Sequence, residues 1–137
     1  MNTEQKGSIT EAVILADLVK RGLQVLVPHS KSGRYDLAVD AGKLIRFQCK
    51  TARLQRGAIV FNLASTVNKF SRAAVRRPYT AAEVDWFAVY YPPSGQVFYV
   101  PKALCGRSSF ALRLTPPRGK NNLKKVHYAK DFENLPR

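Results

Sequence analysis

Acidic residues are few in this chain and unevenly spread. Asp and Glu number 9 against 23 Lys and Arg; none lies between Ala41 and Ala82, and none between Trp86 and Lys130. The first gap holds nine basic residues and the second holds eight. Cysteine is also scarce: Cys49 and Cys105 are too few and too far apart for a disulfide framework or a thiolate zinc site. No segment approaches the roughly 20 apolar residues that a membrane span needs. The opening MNTEQKGSITEA lacks the basic-then-apolar layout of a secretory signal, so a cytoplasmic or nucleoid-associated location is expected. There is no glycine-rich phosphate loop, no dinucleotide fingerprint and no nucleophilic triad, and no small-molecule cofactor is expected.

What is present is enough for one domain. A chain of 137 residues that is 45% hydrophobic builds a single core. Its net charge of +14 points to a polyanionic partner, because neutralising phosphates dominates nucleic-acid affinity.

Periodicity gives the order of elements. Ser8-Ile9-Thr10-Glu11 matches a capping box and predicts a helix from Ser8 to about Arg21, closed by Gly22. Ile14, Leu15 and Leu18 share a face with Glu11, which places that carboxylate on the stripe that packs on a sheet. A short apolar run at 24–27 ends at Pro28. Tyr35 to Asp40 alternates as a half-buried strand; Ala41-Gly42 makes a two-residue turn, and Lys43 to Arg53 returns antiparallel. Further strands are expected at 58–63, 86–91, 97–101 and 110–114. Residues 65–79 read as a basic loop with a short helical piece, 80–83 as a helical turn, and the tail as irregular or partly helical. The aromatic strand around Trp86, Phe87, Tyr90 and Tyr91 suits either an interface or the core.

Alternation on the third strand puts Gln48 and Lys50 on one face and Cys49 on the other. If the hairpin pairs as expected, Asp36 lies beside Gln48 and Lys50, and the helix brings Glu11 to the same point. Two carboxylates and an amide carbonyl suit a hard divalent cation such as Mg²⁺, with Mn²⁺ expected to substitute. Asp36 is the central ligand, with Gln48 and Glu11 beside it. Lys50 orients or deprotonates a water and balances phosphate charge. The competing reading makes Asp36 a strand-end polar residue and Lys50 a surface lysine. His29 and His127 have no partners at metal-ligand spacing and read as loop or surface residues.

The order helix-Glu11, strand-Asp36, then Gln48-x-Lys50 resembles the PD-(D/E)XK nuclease superfamily. The Gly7-Ser8-x-x-Glu11-Ala12 opening, the Tyr35-Asp36-Leu37 strand and the Gln48 variant look like its group I intron homing endonuclease branch. The resemblance is most specific over residues 7 to 53. It implies an α/β, restriction-endonuclease-like αβββαβ core with a central mixed sheet, and metal-dependent hydrolysis of sequence-specific double-stranded DNA. Gln48, standing where the pattern usually has an acid, keeps a catalytically inactive DNA-binding module open as an alternative. A structure-specific nuclease such as a Holliday junction resolvase would share the site. DNA contacts are expected from Lys31, Arg34, Arg53, Arg56, Lys69, Arg72, Arg76 and Arg77, and from a loop with Arg118, Lys120, Asn121, Asn122, Lys124 and Lys125. One site per chain and two strands to cut imply a homo-oligomer, a dimer or tetramer.

Overall fold

The computed structural model describes residues 1–30, 33–67, 75–78, 83–117 and 126–135. Helix α1 (Thr3–Lys20) begins five residues earlier than the Ser8 capping box predicts. Asn2 is the N-cap: its side chain accepts from the Gln5 backbone N–H, and the Gln5 side chain accepts from the Asn2 N–H. That reciprocal pair satisfies the first orphan donors, and Ser8 and Glu11 fall inside the helix, which removes the capping role from Glu11. Thr10, Ile14 and Leu18 recur at four-residue spacing and are buried.

Strands β1 (Gln24–Leu26), β2 (Leu37–Asp40), β3 (Leu44–Thr51), β8 (Trp86–Tyr91) and β9 (Gln96–Pro101) form a five-stranded sheet in the order β1-β2-β3-β8-β9. Every pairing is antiparallel except β3 with β8. The expected β2–β3 hairpin forms, with Leu37 opposite Phe47 and Asp40 opposite Leu44. Its loop has three residues, 41–43, rather than two, because the Ala41 N–H bonds back to the Lys43 carbonyl and Gly42 takes φ +88°.

The long third strand breaks at the buried Ala52 and continues as β4 (Arg53–Gln55), which hairpins onto β5 (Ala58–Asn62); β10 (Ser109–Arg113) completes a second, three-stranded sheet. Of residues 65–79, expected as a loop with a helical piece, 65–67 and 75–78 lie on the antiparallel pair β6 (Ala64–Val67) and β7 (Val75–Pro78), and 68–74 and 79 lie outside the described residues. Val67, Val75 and Thr66 are β-branched, and period-2 pairing rather than local helix signal decides the backbone there. Among the described residues α1 is the only α-helix.

Two cores lie on opposite faces of the large sheet. Ile14 and Leu18 of α1 pack on Leu37, Val39, Phe47, Cys49, Ala88 and Tyr99. On the other face Phe87, Val89 and Val100 meet Ile59, Phe61, Phe110 and Leu112 of the small sheet. Phe61 has ring contacts of 5.8 Å with both Phe87 and Phe110. Phe87 and Tyr91 are buried and Trp86 and Tyr90 pack beside α1, so the aromatic strand belongs to the core. His127 lies in an irregular segment, as expected, and is half-buried, its ring 5.0 Å from Phe110 and edge-on to Phe132 at 5.8 Å.

Two polar clamps fix the frame. Asp85 accepts from the Arg46 backbone N–H at 2.8 Å and from its guanidinium Nε and Nη2 at 3.1 Å each, locking the start of β8 to β3. Asp17 on α1 accepts from the Tyr99 hydroxyl and from Arg21, and Arg21 reaches on to the Glu133 carbonyl.

Candidate active site

The site lies where the sheet opens. Strand β2 begins at Leu37, so beyond Phe47 the backbone of β3 has no further ladder partner on that side. A buried N–H left without an acceptor would be costly. Asp36 supplies one: its Oδ2 accepts from the Cys49 N–H at 2.9 Å, while its own N–H bonds to the Phe47 carbonyl at 2.8 Å. The carboxylate is thereby seated against β3 midway between Gln48 and Lys50.

Register fixes the directions of those two. Gln48 pairs with Phe87 and Lys50 with Val89, and both partners belong to the core under the small sheet. Gln48 and Lys50 therefore point toward that side, and Cys49 toward α1. Thr10 and Thr51, joined by a 2.6 Å hydroxyl–hydroxyl bond, hold α1 over the end of β3. Glu11, the next residue on the helix, is half-buried there. Burial pushes the Cys49 thiol well up, and the Asp36 and Glu11 carboxylates add to the effect, so both acids lie within electrostatic reach of one sulfur. The structure thus seats Asp36 against β3 between Gln48 and Lys50, and brings Glu11 to the same end of β3 from the helix side, the face that carries Cys49.

The charges are tuned by burial. Desolvation raises the Asp36 carboxyl above its usual range, opposed by the Cys49 N–H and by Lys50. Desolvation lowers the Lys50 ammonium to about 8; the nearby Arg34 guanidinium pushes the same way and Asp36 opposes. Arg34 is held by Glu83, Nε to Oε2 2.8 Å, with each side chain 17% exposed. Sequence reasoning missed Glu83. The signal was available: Glu83 and Asp85 are the only acids between Ala41 and Lys130, and both engage arginines. It also missed the Cys49 N–H, which no side-chain pattern reports.

Among the described residues no three His, Cys, Asp or Glu side chains form a metal-ligating group. The residues that could hold an ion are Asp36, Gln48 and Glu11, with Gln48 on the small-sheet face of β3 and Glu11 arriving from the α1 face; their ligating atoms would all be oxygen. That set fits a hard divalent ion that keeps several waters and does not fit a thiophilic one.

Of the residues expected to touch DNA, Arg34 lies beside the site, and Arg53 and Arg56 are exposed on the β4–β5 hairpin. Arg76 and Arg77 fall on β7. Lys31, Lys69, Arg72, Arg118, Lys120, Asn121, Asn122, Lys124 and Lys125 lie outside the described residues.

Comparison with known proteins gives the family and agrees with the fold. No curated protein sequence matches the chain. Among solved structures it is similar to a bacterial homing endonuclease, I-Ssp6803I, with a TM-score of 0.74 and 25% identity, over 88% of this chain and 84% of that one. The family model described as PD-(D/E)XK endonuclease matches residues 1–135. A family match over nearly the whole sequence places this chain in the PD-(D/E)XK endonuclease family.

Proposed function

We propose that this nuclease is a metal-dependent endonuclease that cuts specific double-stranded DNA sites, of the homing type. The observation that carries the reading is the seating of Asp36 by the Cys49 N–H at 2.9 Å, between Gln48 and Lys50. That bond fixes one carboxylate oxygen before any ligand arrives, the pre-organisation that phosphoryl transfer needs.

Asp36, Glu11 and the Gln48 carbonyl would hold a magnesium-like ion, which when bound acidifies a water and neutralises charge on the phosphate. Lys50 serves the phosphate or the attacking water. At an ammonium pKa of about 8, about a tenth of the lysine is neutral at pH 7, so it can accept a proton from water as well as donate hydrogen bonds to a phosphate oxygen. Gln48 supplies no charge, so the site takes its negative charge from two carboxylates and binds the ion more weakly than a three-acid site. Arg34 adds a fixed cation beside Lys50. One site per chain requires two copies to cut both strands, and a symmetric homo-oligomer follows from that reading.

The test is incubation of purified protein with plasmid carrying a randomised target library, with Mg²⁺, with Mn²⁺ and with EDTA. Wild type is expected to cut a subset of sequences with either metal and none in EDTA. Asp36→Ala is expected to bind without cutting. If wild type binds but never cuts, the neutral Gln48 has left a DNA-binding module. Preferential cutting of four-way junctions over every linear duplex would favour a junction resolvase.

A further inference from the structure

We propose that Arg113 is a positioning residue for DNA reading: its guanidinium locks the tip of the β4–β5 hairpin so that Arg56 is presented to the bases near the cut. The proposal rests on the endonuclease reading above.

The hairpin tip is unusual. Gln55 pairs with Ala58, leaving Arg56 and Gly57 as a two-residue turn with φ +49° and +77°. Both central residues are left-handed, as the primed turn requires, and Asn-Gly or Asp-Gly are the customary choices. An arginine there is uncommon, since a side chain with a Cβ disfavours positive φ. Among the described residues Arg56 is the only non-glycine with positive φ.

Arg113 supplies the restraint. Its Nη1 donates to the Arg56 carbonyl at 2.9 Å, its Nε to the Thr115 carbonyl at 2.9 Å and its Nη2 to the Pro116 carbonyl at 3.3 Å. The Leu114 N–H bonds to the Gly57 carbonyl at 3.0 Å. A Cβ on Gly57 would stand 2.9 Å from Thr115 Oγ1 and 3.3 Å from Arg113 Nη2, so glycine makes room for the clasp. In a chain of net charge +14, this guanidinium is spent on backbone carbonyls. The planar fork carries these donors on three nitrogens in fixed directions, whereas the three donors of an ammonium share one atom on a flexible stem and do not span the same carbonyls.

The hairpin is also in the right place. Arg53, Leu54 and Gln55 are all exposed, as is Arg56, and β4 continues directly from the strand that carries Lys50. Six residues from Lys50 to Arg56 reach at most about 20 Å, the length of about six base pairs of duplex. A rigid turn holding an exposed arginine suits guanine recognition in the major groove, where a bidentate contact needs a fixed guanidinium position.

The experiment compares wild type with Arg113→Lys, Arg113→Met, Gly57→Ala and Arg56→Met by cleavage selection on a randomised target and by binding across a salt series. All four variants are expected to relax selectivity at the same base pairs, within about six of the cut, by about five- to a hundredfold. Arg113→Met is expected to leave the slope of log affinity against log salt unchanged, because Arg113 releases no counterion from DNA. Hydrogen exchange at the Leu114 amide is expected to accelerate in Arg113→Lys, which reads the clasp without DNA. Wild-type selectivity in Arg113→Lys, or a salt slope smaller by about one in Arg113→Met, would overturn the proposal, since charge alone would then suffice. Gly57→Ala keeps the test decisive if an Arg113 variant fails to fold. A wild type that shows no selectivity sinks both this inference and the parent reading; a selective wild type with equally selective variants sinks this inference alone.

Discussion

Arg34 and Glu83 form an ion pair, Nε to Oε2 2.8 Å, that joins the loop before β2 to the segment leading into β8. Both side chains are mostly shielded from water, and Lys50 adds a second positive charge nearby. Glu83 thus neutralises a guanidinium that lies close enough to Lys50 to lower its pKa. Removing it leaves a half-buried guanidinium beside an ammonium, so Glu83→Gln is expected to lose about 1–3 kcal/mol of stability. Urea denaturation of the two single variants and the Arg34→Met/Glu83→Gln double variant should reveal a favourable coupling energy. Additive losses would show that the pair contributes nothing.

Lys50 should cost stability while serving function. Its folded ammonium titrates near 8 because burial disfavours the charge. A lysine whose folded value lies below its unfolded value near 10.4 destabilises the fold fully below the folded value, and the penalty fades as pH rises from about 8 toward 10.5. Lys50→Met is therefore expected to be more stable than wild type at pH 7, by about 1–3 kcal/mol, with the advantage shrinking above pH 8 and cleavage abolished. Chemical denaturation at pH 7, 9 and 10.5 checks this; an advantage that grows with pH would contradict it. Asp36→Asn is expected to move the same way at neutral pH, since burial raises that carboxyl too and the amide oxygen can still accept from the Cys49 N–H.

Asp85 should act in the opposite sense. The Arg46 hydrogen bonds hold its carboxyl below the usual range. Stability from such a group is present above the unfolded value near 3.9 and is lost as pH falls through the folded value. The pair is a third exposed at the carboxylate, so solvent screening limits Asp85→Asn to a loss of about 1–2 kcal/mol at pH 7. Thermal unfolding of wild type and variant should converge as pH is lowered toward 2. A constant difference would assign the loss to packing rather than charge.

Parts of this fold were legible because short-range physics writes them into the chain. Alternation at 35–40 and 44–51, separated by a glycine turn, specified the antiparallel pair, and alternate residues then fixed Gln48 and Lys50 to one face. The helix was legible but its start was not, because Asn2-Gln5 competes with Ser8-Glu11 for the same capping role and the register of the first turn depends on packing. The strands at 64–67 and 75–78 were not legible because the segment's basic residues carry no strong period, and cross-strand pairing decides their backbone. Glu83 and Arg113 were missed for a different reason: each acts on a group 49 or 57 residues away in sequence, and no local pattern encodes such a meeting.

By itself the sequence determined the strongly basic charge, the antiparallel pair that Asp36 adjoins and the placing of Gln48 and Lys50 on one face, since composition and period-2 alternation act over a few residues. Tertiary structure alone decided that Asp36 caps the Cys49 N–H where β2 leaves β3, that Arg34 is steadied by Glu83, and that burial moves Lys50 to about 8. Desolvation and long-range contact depend on what the folded chain excludes water from, and that exists only once α1 and the two sheets have closed on each other.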